Sequence, residues 1–189
     1  MKIVLASSSP RRKRLLRKLV RKFSVKASEV NERIGRNEGF ARAAVRLAEA
    51  KARAAWKGGE LAIGADTIAY RGRKMFRKTE SLEAARRILR QLEGSTHEVV
   101  TGVALVFPDG RCAKFAAKAR VKMREWKEGE LEGYLRGGEW KGRAGCYDVS
   151  GRGTVLVEKV AGEKETVIGL PLVRLRRALA IDVGGRKPH

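Results

Sequence analysis

The sequence predicts one globular domain in which β-strands and α-helices alternate, and three observations support this prediction. A short apolar run at residues 2–6 has the character of a buried strand. Leu15, Leu16 and Leu19 follow at helical spacing, so a helix comes directly after that strand. The chain has 189 residues, 43% of them hydrophobic, which is enough for a full hydrophobic core.

The chain is organised around the turn between this strand and this helix, residues 5–12. Ser9 suits the N-cap position and Pro10 the first helical position, where a missing N–H costs nothing. Backbone N–H groups and the positive end of the helix dipole can bind an anion, and Arg11 and Arg12 add donors that match phosphate oxygens. A phosphate site and an ordinary basic surface helix both explain this stretch.

Apolar periodicity and turn signals continue the alternation along the rest of the chain. The predicted elements are a first helix at 10–22, a half-buried strand at 23–27, helices at 38–56, 82–92 and 128–135, a strand at 61–65, paired strands at 97–107 and 112–123, a strand at 154–160, and a last helix from 168–171 through residue 180. We expect a single domain over residues 1–181 and a C-terminal tail over residues 182–189.

Three polar residues stand out against their surroundings. Asp66 follows the predicted strand 61–65, where a carboxylate is costly to bury unless it is paired or binds a cation, which favours a functional role over a capping role. Lys51 lies among alanines on the predicted helix 38–56 and either reaches into a cleft or is exposed. His97 has no obvious His or Cys partner, which favours a structural hydrogen bond over a metal site.

The net charge indicates a class of ligand but does not identify the ligand. The chain has 43 Lys and Arg against 21 Asp and Glu, a formal net charge of +22, and therefore attracts polyanions such as nucleotides, nucleic acids or anionic membranes. No apolar run approaches the roughly 20 residues that span a bilayer, so no membrane partner is expected. Two cysteines without a secretion signal argue against a disulfide framework and favour the cytoplasm.

Five motifs resemble those of the Maf-like nucleotide pyrophosphatases, in that family's order and spacing over about residues 2–180. The motifs are LASSSPRR at Leu5–Arg12, IGADT at Ile63–Thr67, HEVVTG at His97–Gly102, RAGCY at Arg143–Tyr147 and VIGLPL at Val167–Leu172. One such motif is weak, but five in order are specific.

The resemblance implies an α/β protein of the two-lobed Maf and inosine-triphosphatase type, in which a long, mixed, twisted sheet flanked by helices borders a central cleft. Members of the family hydrolyse nucleoside triphosphates between the α and β phosphates with a divalent metal, Mg²⁺ or Mn²⁺, and are usually homodimers. The chain is thus expected to be a nucleoside triphosphate diphosphatase with a house-cleaning role.

The resemblance also assigns roles to residues at matching motif positions. Asp66 matches the usual general base, and Glu32 and Asp66 are oxygen ligands suited to the metal, so base and ligand roles for Asp66 both stay open. The residues that match phosphate-binding positions are Ser7, Ser9, Arg12, Lys51 and Lys78. Arg11 and Thr67 match positions that distinguish the subgroup acting on dTTP and UTP from the one acting on 7-methyl-GTP.

Four departures from the family pattern, one of them Glu163-Lys164 in place of a typical Asp-Tyr pair, loosen the choice of substrate. Ser150, a third specificity position, stands where the dTTP and UTP subgroup usually has glutamine, so a base-reading amide is missing. Asn31 precedes Glu32 where a second acid is common, and Thr79 stands where proline is usual.

The leading interpretation is a pyrophosphatase for pyrimidine nucleoside triphosphates, including modified ones. The alternatives are a 7-methyl-GTP pyrophosphatase, a basic nucleic-acid-binding protein that uses its first helix, and a regulatory relative that binds nucleotides without turnover. Aromatic residues make up 6% of the chain, few for base stacking, so at most nonspecific nucleic-acid binding is expected.

Overall fold

The computed structural model describes residues 1–27 and 29–183, and within them the chain forms seven strands and six α-helices. The strands are β1 Ile3–Leu5, β2 Ser24–Val25, β3 Leu61–Arg71, β4 Lys74–Phe76, β5 Thr96–Val106, β6 Cys112–Met123 and β7 Val157–Ala161. The helices are α1 Pro10–Arg17, α2 Phe40–Ala55, α3 Leu82–Leu92, α4 Glu128–Arg136, α5 Lys164–Ile168 and α6 Leu172–Val183. Short 3-10 helices cover Ala144–Cys146 and Arg152–Leu156.

The strands form one mixed sheet. Their order is β2-β1-β3-β5-β6-β7, and β4 pairs with β3. β1 is parallel to both β2 and β3, whereas β4 is antiparallel to β3 and β7 is antiparallel to β6. The α/β class and the mixed sheet predicted from the sequence are confirmed.

The chain divides into two compact units. The first consists of Met1–Asp66, Thr101–Ala117 and the chain from Gly169 onward, and the second of Thr67–Val100 and Lys118–Ile168. In the described part of the chain, no helix has both the length and the apolar character that crossing a membrane requires.

In the first unit, α2 packs on the sheet through small side chains. Ala44, Ala48 and Ala52 are fully buried, and the last two form an apolar cluster with Ala62 and Ala104 of the strands. Alanine combines the highest helix propensity with the smallest side chain that has a Cβ, so the same residues that form the helix let it approach the sheet closely.

In the second unit, larger side chains fill the core. Leu89, Met123, Leu131 and Leu156 are fully buried in one cluster that joins α3, α4 and β6. Ser81 occupies the N-cap of α3 as predicted, and its hydroxyl accepts a hydrogen bond from the N–H of Ala84 at 3.3 Å.

The sequence prediction is wrong about the region that follows the first helix. α1 ends at Arg17 rather than at residue 22, because the N–H groups of Lys18 and Leu19 bond three residues back and tighten the last turn. The predicted half-buried strand at 23–27 shortens to β2, in which Val25 is 38% exposed. β2 lies at the edge of the sheet, which explains the exposure.

Three further boundaries of strands and helices differ from the sequence prediction. β3 does not end at Asp66 but continues through it to Arg71. The strand predicted to start at residue 154 starts at Val157, after a 3-10 helix. α5 is too short for helical periodicity to reveal it, and it moves the start of the last helix to Leu172. Within the predicted tail 182–189, residues 184–189 lie outside the described residues.

Candidate active site

The candidate active site is centred on Asp66, at the middle of β3. Its carboxylate is only 3% exposed, within a strand whose neighbouring residues Ala65 and Ile63 are fully buried. Lys51 of α2 donates a hydrogen bond from Nζ to Oδ1 of Asp66 at 2.6 Å. The sequence therefore located the carboxylate correctly, and it is paired, as a buried charge has to be.

Lys51 reaches into the protein rather than into solvent, which settles the two alternatives left by the sequence. The residue is 7% exposed, and its Nζ atom also lies 2.5 Å from Oε1 of Glu32. The side chain of Glu32 is 52% exposed and comes from the polar connection between β2 and α2. One ammonium group thus holds together two carboxylates that are 34 positions apart in the chain.

Arg12 supplies a second buried cation in the same unit. Its Nε donates to the carbonyl oxygen of Gly169 at 2.9 Å, and its Nη1 donates to Oγ of Ser7 at 3.3 Å. Burial lowers the pKa of Arg12, and the carboxylates of Asp66 and Glu32 oppose that shift. The guanidinium is therefore fixed in orientation and lies within electrostatic reach of both carboxylates.

The serine-rich turn is arranged differently from the sequence prediction. Ser9 does occupy the N-cap position and Pro10 the first helical position, but the Ser9 side chain makes no capping hydrogen bond. Instead, the hydroxyl of Ser7 accepts from the N–H of Ser9 at 3.3 Å while it also binds Arg12. Ser7, Ser9 and Arg12 form one hydrogen-bonded group at the start of α1.

The remaining predicted site residues are divided between the two units. Arg11 is half-buried on α1, while Lys78, Thr67 and Ser150 belong to the second unit. Lys78 is exposed after β4, and Thr67 is half-buried directly after Asp66 in β3.

Ser150 lies on a loop organised by a residue that the sequence prediction missed. Its N–H and its hydroxyl both donate to Oδ1 of Asp148, at 2.8 Å and 2.6 Å. Arg143 donates from Nε to the other carboxylate oxygen at 3.2 Å. Asp148 is 4% exposed. It directly follows the RAGCY motif, and this position is the sequence signal that could have identified it.

His97 has the structural role predicted from the sequence. Its Nε2 lies 2.8 Å from the hydroxyl of Tyr147, and its ring packs edge-on against Phe76 and Tyr147. Burial lowers the pKa of His97 to about 4, with a smaller contribution from the positive charge of Arg71. The imidazole is therefore neutral at physiological pH.

The carboxylates suit a divalent cation that also binds substrate. No group of three or more His, Cys, Asp or Glu side chains within the described ranges could hold a metal ion. Asp66 and Glu32 nevertheless converge on one point, the Nζ atom of Lys51. Mg²⁺ usually binds one or two carboxylates together with phosphate oxygens and waters, so this pair could hold such an ion if Lys51 moved to bind a phosphate group.

Comparison with known proteins agrees with the motifs. The sequence profile described as "Maf-like protein" matches residues 2–181. A dTTP/UTP pyrophosphatase from Moorella thermoacetica is 40% identical over 191 aligned residues, which cover 98% of each chain. Proteins of the same name from Caulobacter vibrioides and Pyrococcus furiosus are each 38% identical, and cover 90% and 91% of this chain and 90% of their own. Among solved structures, a Staphylococcus aureus Ham1 protein matches 65% of this chain and 72% of its own, with 17% identity and a TM-score of 0.45.

Proposed function

Because the chain belongs to the Maf-like protein family, we propose that it is a nucleoside triphosphate pyrophosphatase that acts on pyrimidine nucleotides. The reaction is hydrolysis of the bond between the α and β phosphates of dTTP, UTP or a modified relative, which yields a monophosphate and pyrophosphate. The names of the relatives from Moorella, Caulobacter and Pyrococcus support this substrate class.

The observation that carries the proposal is the ion cluster around Lys51. Two carboxylates share its ammonium group, and the buried guanidinium of Arg12 lies within their electrostatic reach. Phosphoryl transfer depends mainly on neutralising phosphate charge and on positioning the nucleophile. A triphosphate would compete with the carboxylates for Lys51 and Arg12, and so would bind where both cations are already held in place.

We assign the proton transfer to Asp66 in this proposal. It accepts the proton of the attacking water, and the hydrogen bond from Lys51 orients its carboxylate. Asp66 and Glu32 would hold Mg²⁺ or Mn²⁺, which when bound neutralises phosphate charge and lowers the pKa of water. Arg12 would hold a phosphate oxygen, with its fork fixed by Gly169 and Ser7.

The test is a panel of nucleoside triphosphates incubated with the purified protein and Mg²⁺ or Mn²⁺, with pyrophosphate and monophosphate measured as products. We expect equal amounts of the two products from UTP and dTTP. Turnover of 7-methyl-GTP alone would assign the chain to the other subgroup, and no pyrophosphate from any nucleotide would refute the proposal.

Nucleic-acid binding is the second candidate, and it is favoured by the exposed basic face of α1. Arg14, Arg17 and Lys18 are exposed there. Such binding would weaken steeply as salt rises and would be unaffected by substitution of Asp66. The homodimer and the cytoplasmic location stay predictions, the former to be measured by light scattering.

A further inference from the structure

Two glycines of the first unit lie directly against the backbone of α2. A Cβ atom added at Gly64 of β3 would lie 2.7 Å from the nitrogen of Ala52, and closer still to the carbonyl oxygen of Ala48. A Cβ atom added at Gly102 of β5 would lie under 3.0 Å from backbone atoms of both Ala44 and Val45. Real Cβ atoms essentially never show separations below 3.0 Å, so a larger residue would force the backbone to move.

The backbone conformation does not require glycine at either position. Gly64 and Gly102 are absent from the residues with positive φ, so an alanine could adopt the conformation of either position. What each position requires is the absence of a side chain. The two glycines are therefore the seat of α2, the name used here for Gly64 and Gly102 together.

The seat lies next to the ion cluster. Gly64 comes two residues before Asp66 in β3, so both face the same side of the sheet. Lys51 lies on α2 between Ala48 and Ala52, the two residues that contact Gly64. Since a lysine side chain has a limited reach, the height of α2 above the sheet decides whether its Nζ atom meets Asp66.

We propose that Gly64 and Gly102 are positioning residues that hold α2 at the distance where Lys51 pairs with Asp66 and Glu32. The role for these motif glycines is to set the location of a cation, with no contact to the substrate. The consequence for catalysis rests on the function proposed above, whereas the consequence for the burial of Lys51 does not.

Gly102→Ala is the sharper test variant, because Gly64 is close enough to Asp66 in the chain to disturb it directly. Gly133→Ala is the matched control, since a Cβ atom there would have nothing within 4 Å. Leu92→Ala, in the core cluster of the second unit, is a second control that lowers stability at a residue outside the unit that contains α2.

The first readout is the reactivity of Lys51 toward an amine-labelling reagent, measured by mass spectrometry in the absence of nucleotide. We expect slow labelling of Lys51 in the wild type and both controls, and labelling at least several-fold faster in Gly102→Ala. The second readout is kcat/KM for pyrophosphate release, where a displacement of about 1 Å is expected to cost roughly 10- to 100-fold.

The two readouts separate this proposal from the proposed function. Unchanged labelling of Lys51 in folded Gly102→Ala would overturn the proposed positioning role of the two glycines. An equal rise in the labelling rate in Leu92→Ala would also overturn it. Faster labelling with unchanged kcat/KM would support the positioning role of the two glycines and contradict the catalytic role of Lys51. If Gly102→Ala does not fold, Ala52→Ser enlarges the helix side of the contact with Gly64, since the Cβ atom of Ala52 would lie 3.0 Å from a Cβ atom added at Gly64. Unchanged labelling in that variant would overturn the proposal.

Discussion

The ammonium group of Lys51 lies 2.6 Å from the carboxylate of Asp66, and the two side chains are only 9% and 5% exposed. A buried ion pair is weak support for stability, because the desolvation of both charges offsets their attraction. Its burial is better explained by the chemistry proposed here, in which a triphosphate displaces the carboxylates from a cation that is already in place. Substitutions of five residues, Arg12, Glu32, Asp66, His97 and Ser150, give predictions that can be measured.

Arg12→Ala should weaken nucleotide binding by the roughly 1.5–3 kcal/mol of a charged hydrogen bond, which raises KM by one to two orders of magnitude. Steady-state kinetics with UTP would measure this change in KM. Arg14→Ala, an exposed arginine on the same helix, is the matched control and should change KM less than about twofold because its charge is solvated. Equal effects of the two substitutions would show that only the overall charge matters.

Glu32→Gln should raise the Mg²⁺ or Mn²⁺ concentration that gives half-maximal activity, because an amide is a poorer ligand for a hard cation. Thermal stability should change little, since the Glu32 side chain is 52% exposed and glutamine can still accept a hydrogen bond from Lys51. Metal titrations of activity would measure the shift. Glu29→Gln, which removes an exposed acid from the same connection, should leave the titration unchanged. An identical titration curve for Glu32→Gln would exclude Glu32 as a ligand.

His97 should make stability depend on pH. Its pKa is about 4 in the folded protein and 6.5 in the unfolded chain, so between these values only the unfolded chain binds the proton. The free energy of unfolding should therefore fall by about 3 kcal/mol as pH drops from 6.5 to 4, and this contribution should be constant outside that range. Urea unfolding of wild type and His97→Gln across this range would measure the difference, and parallel curves would contradict the prediction.

Ser150→Gln should improve the use of UTP and dTTP, because the resemblance to the dTTP and UTP subgroup implies a base-reading amide at this position. One added hydrogen bond of about 1 kcal/mol corresponds to a rise in kcat/KM of roughly fivefold. The loop should keep its shape, since the backbone N–H of residue 150 still donates to Asp148. Ser150→Ala controls for loss of the hydroxyl, and a rise of the same size in Ser150→Ala would contradict a base-reading role.

The sequence predicted those parts of the molecule that local patterns encode. The alanine periodicity located α2, the apolar run around Asp66 marked a buried carboxylate, and the isolation of His97 indicated a structural hydrogen bond. Each of these signals depends on a residue and its near neighbours in the chain, which a single sequence contains.

Local sequence patterns could not predict contacts between residues that are far apart in the chain. Nothing near Lys51 distinguished a buried lysine from an exposed one, because its partners Asp66 and Glu32 lie on other segments. Gly64 and Gly102 lie inside predicted strands, and only the packing of α2 reveals why they lack a side chain. β3 continues through Asp66, whose buried carboxylate is paired with Lys51 from another segment.

The most direct test of the central claim is pyrophosphate release from UTP by Asp66→Asn, with folding confirmed by circular dichroism. Asparagine has nearly the same shape but accepts no proton, so we predict a fall in kcat of at least about 100-fold in a folded protein. Asp109→Asn, at the exposed hairpin turn, should retain full activity. Wild-type kcat in folded Asp66→Asn would remove Asp66 from the mechanism and contradict the account.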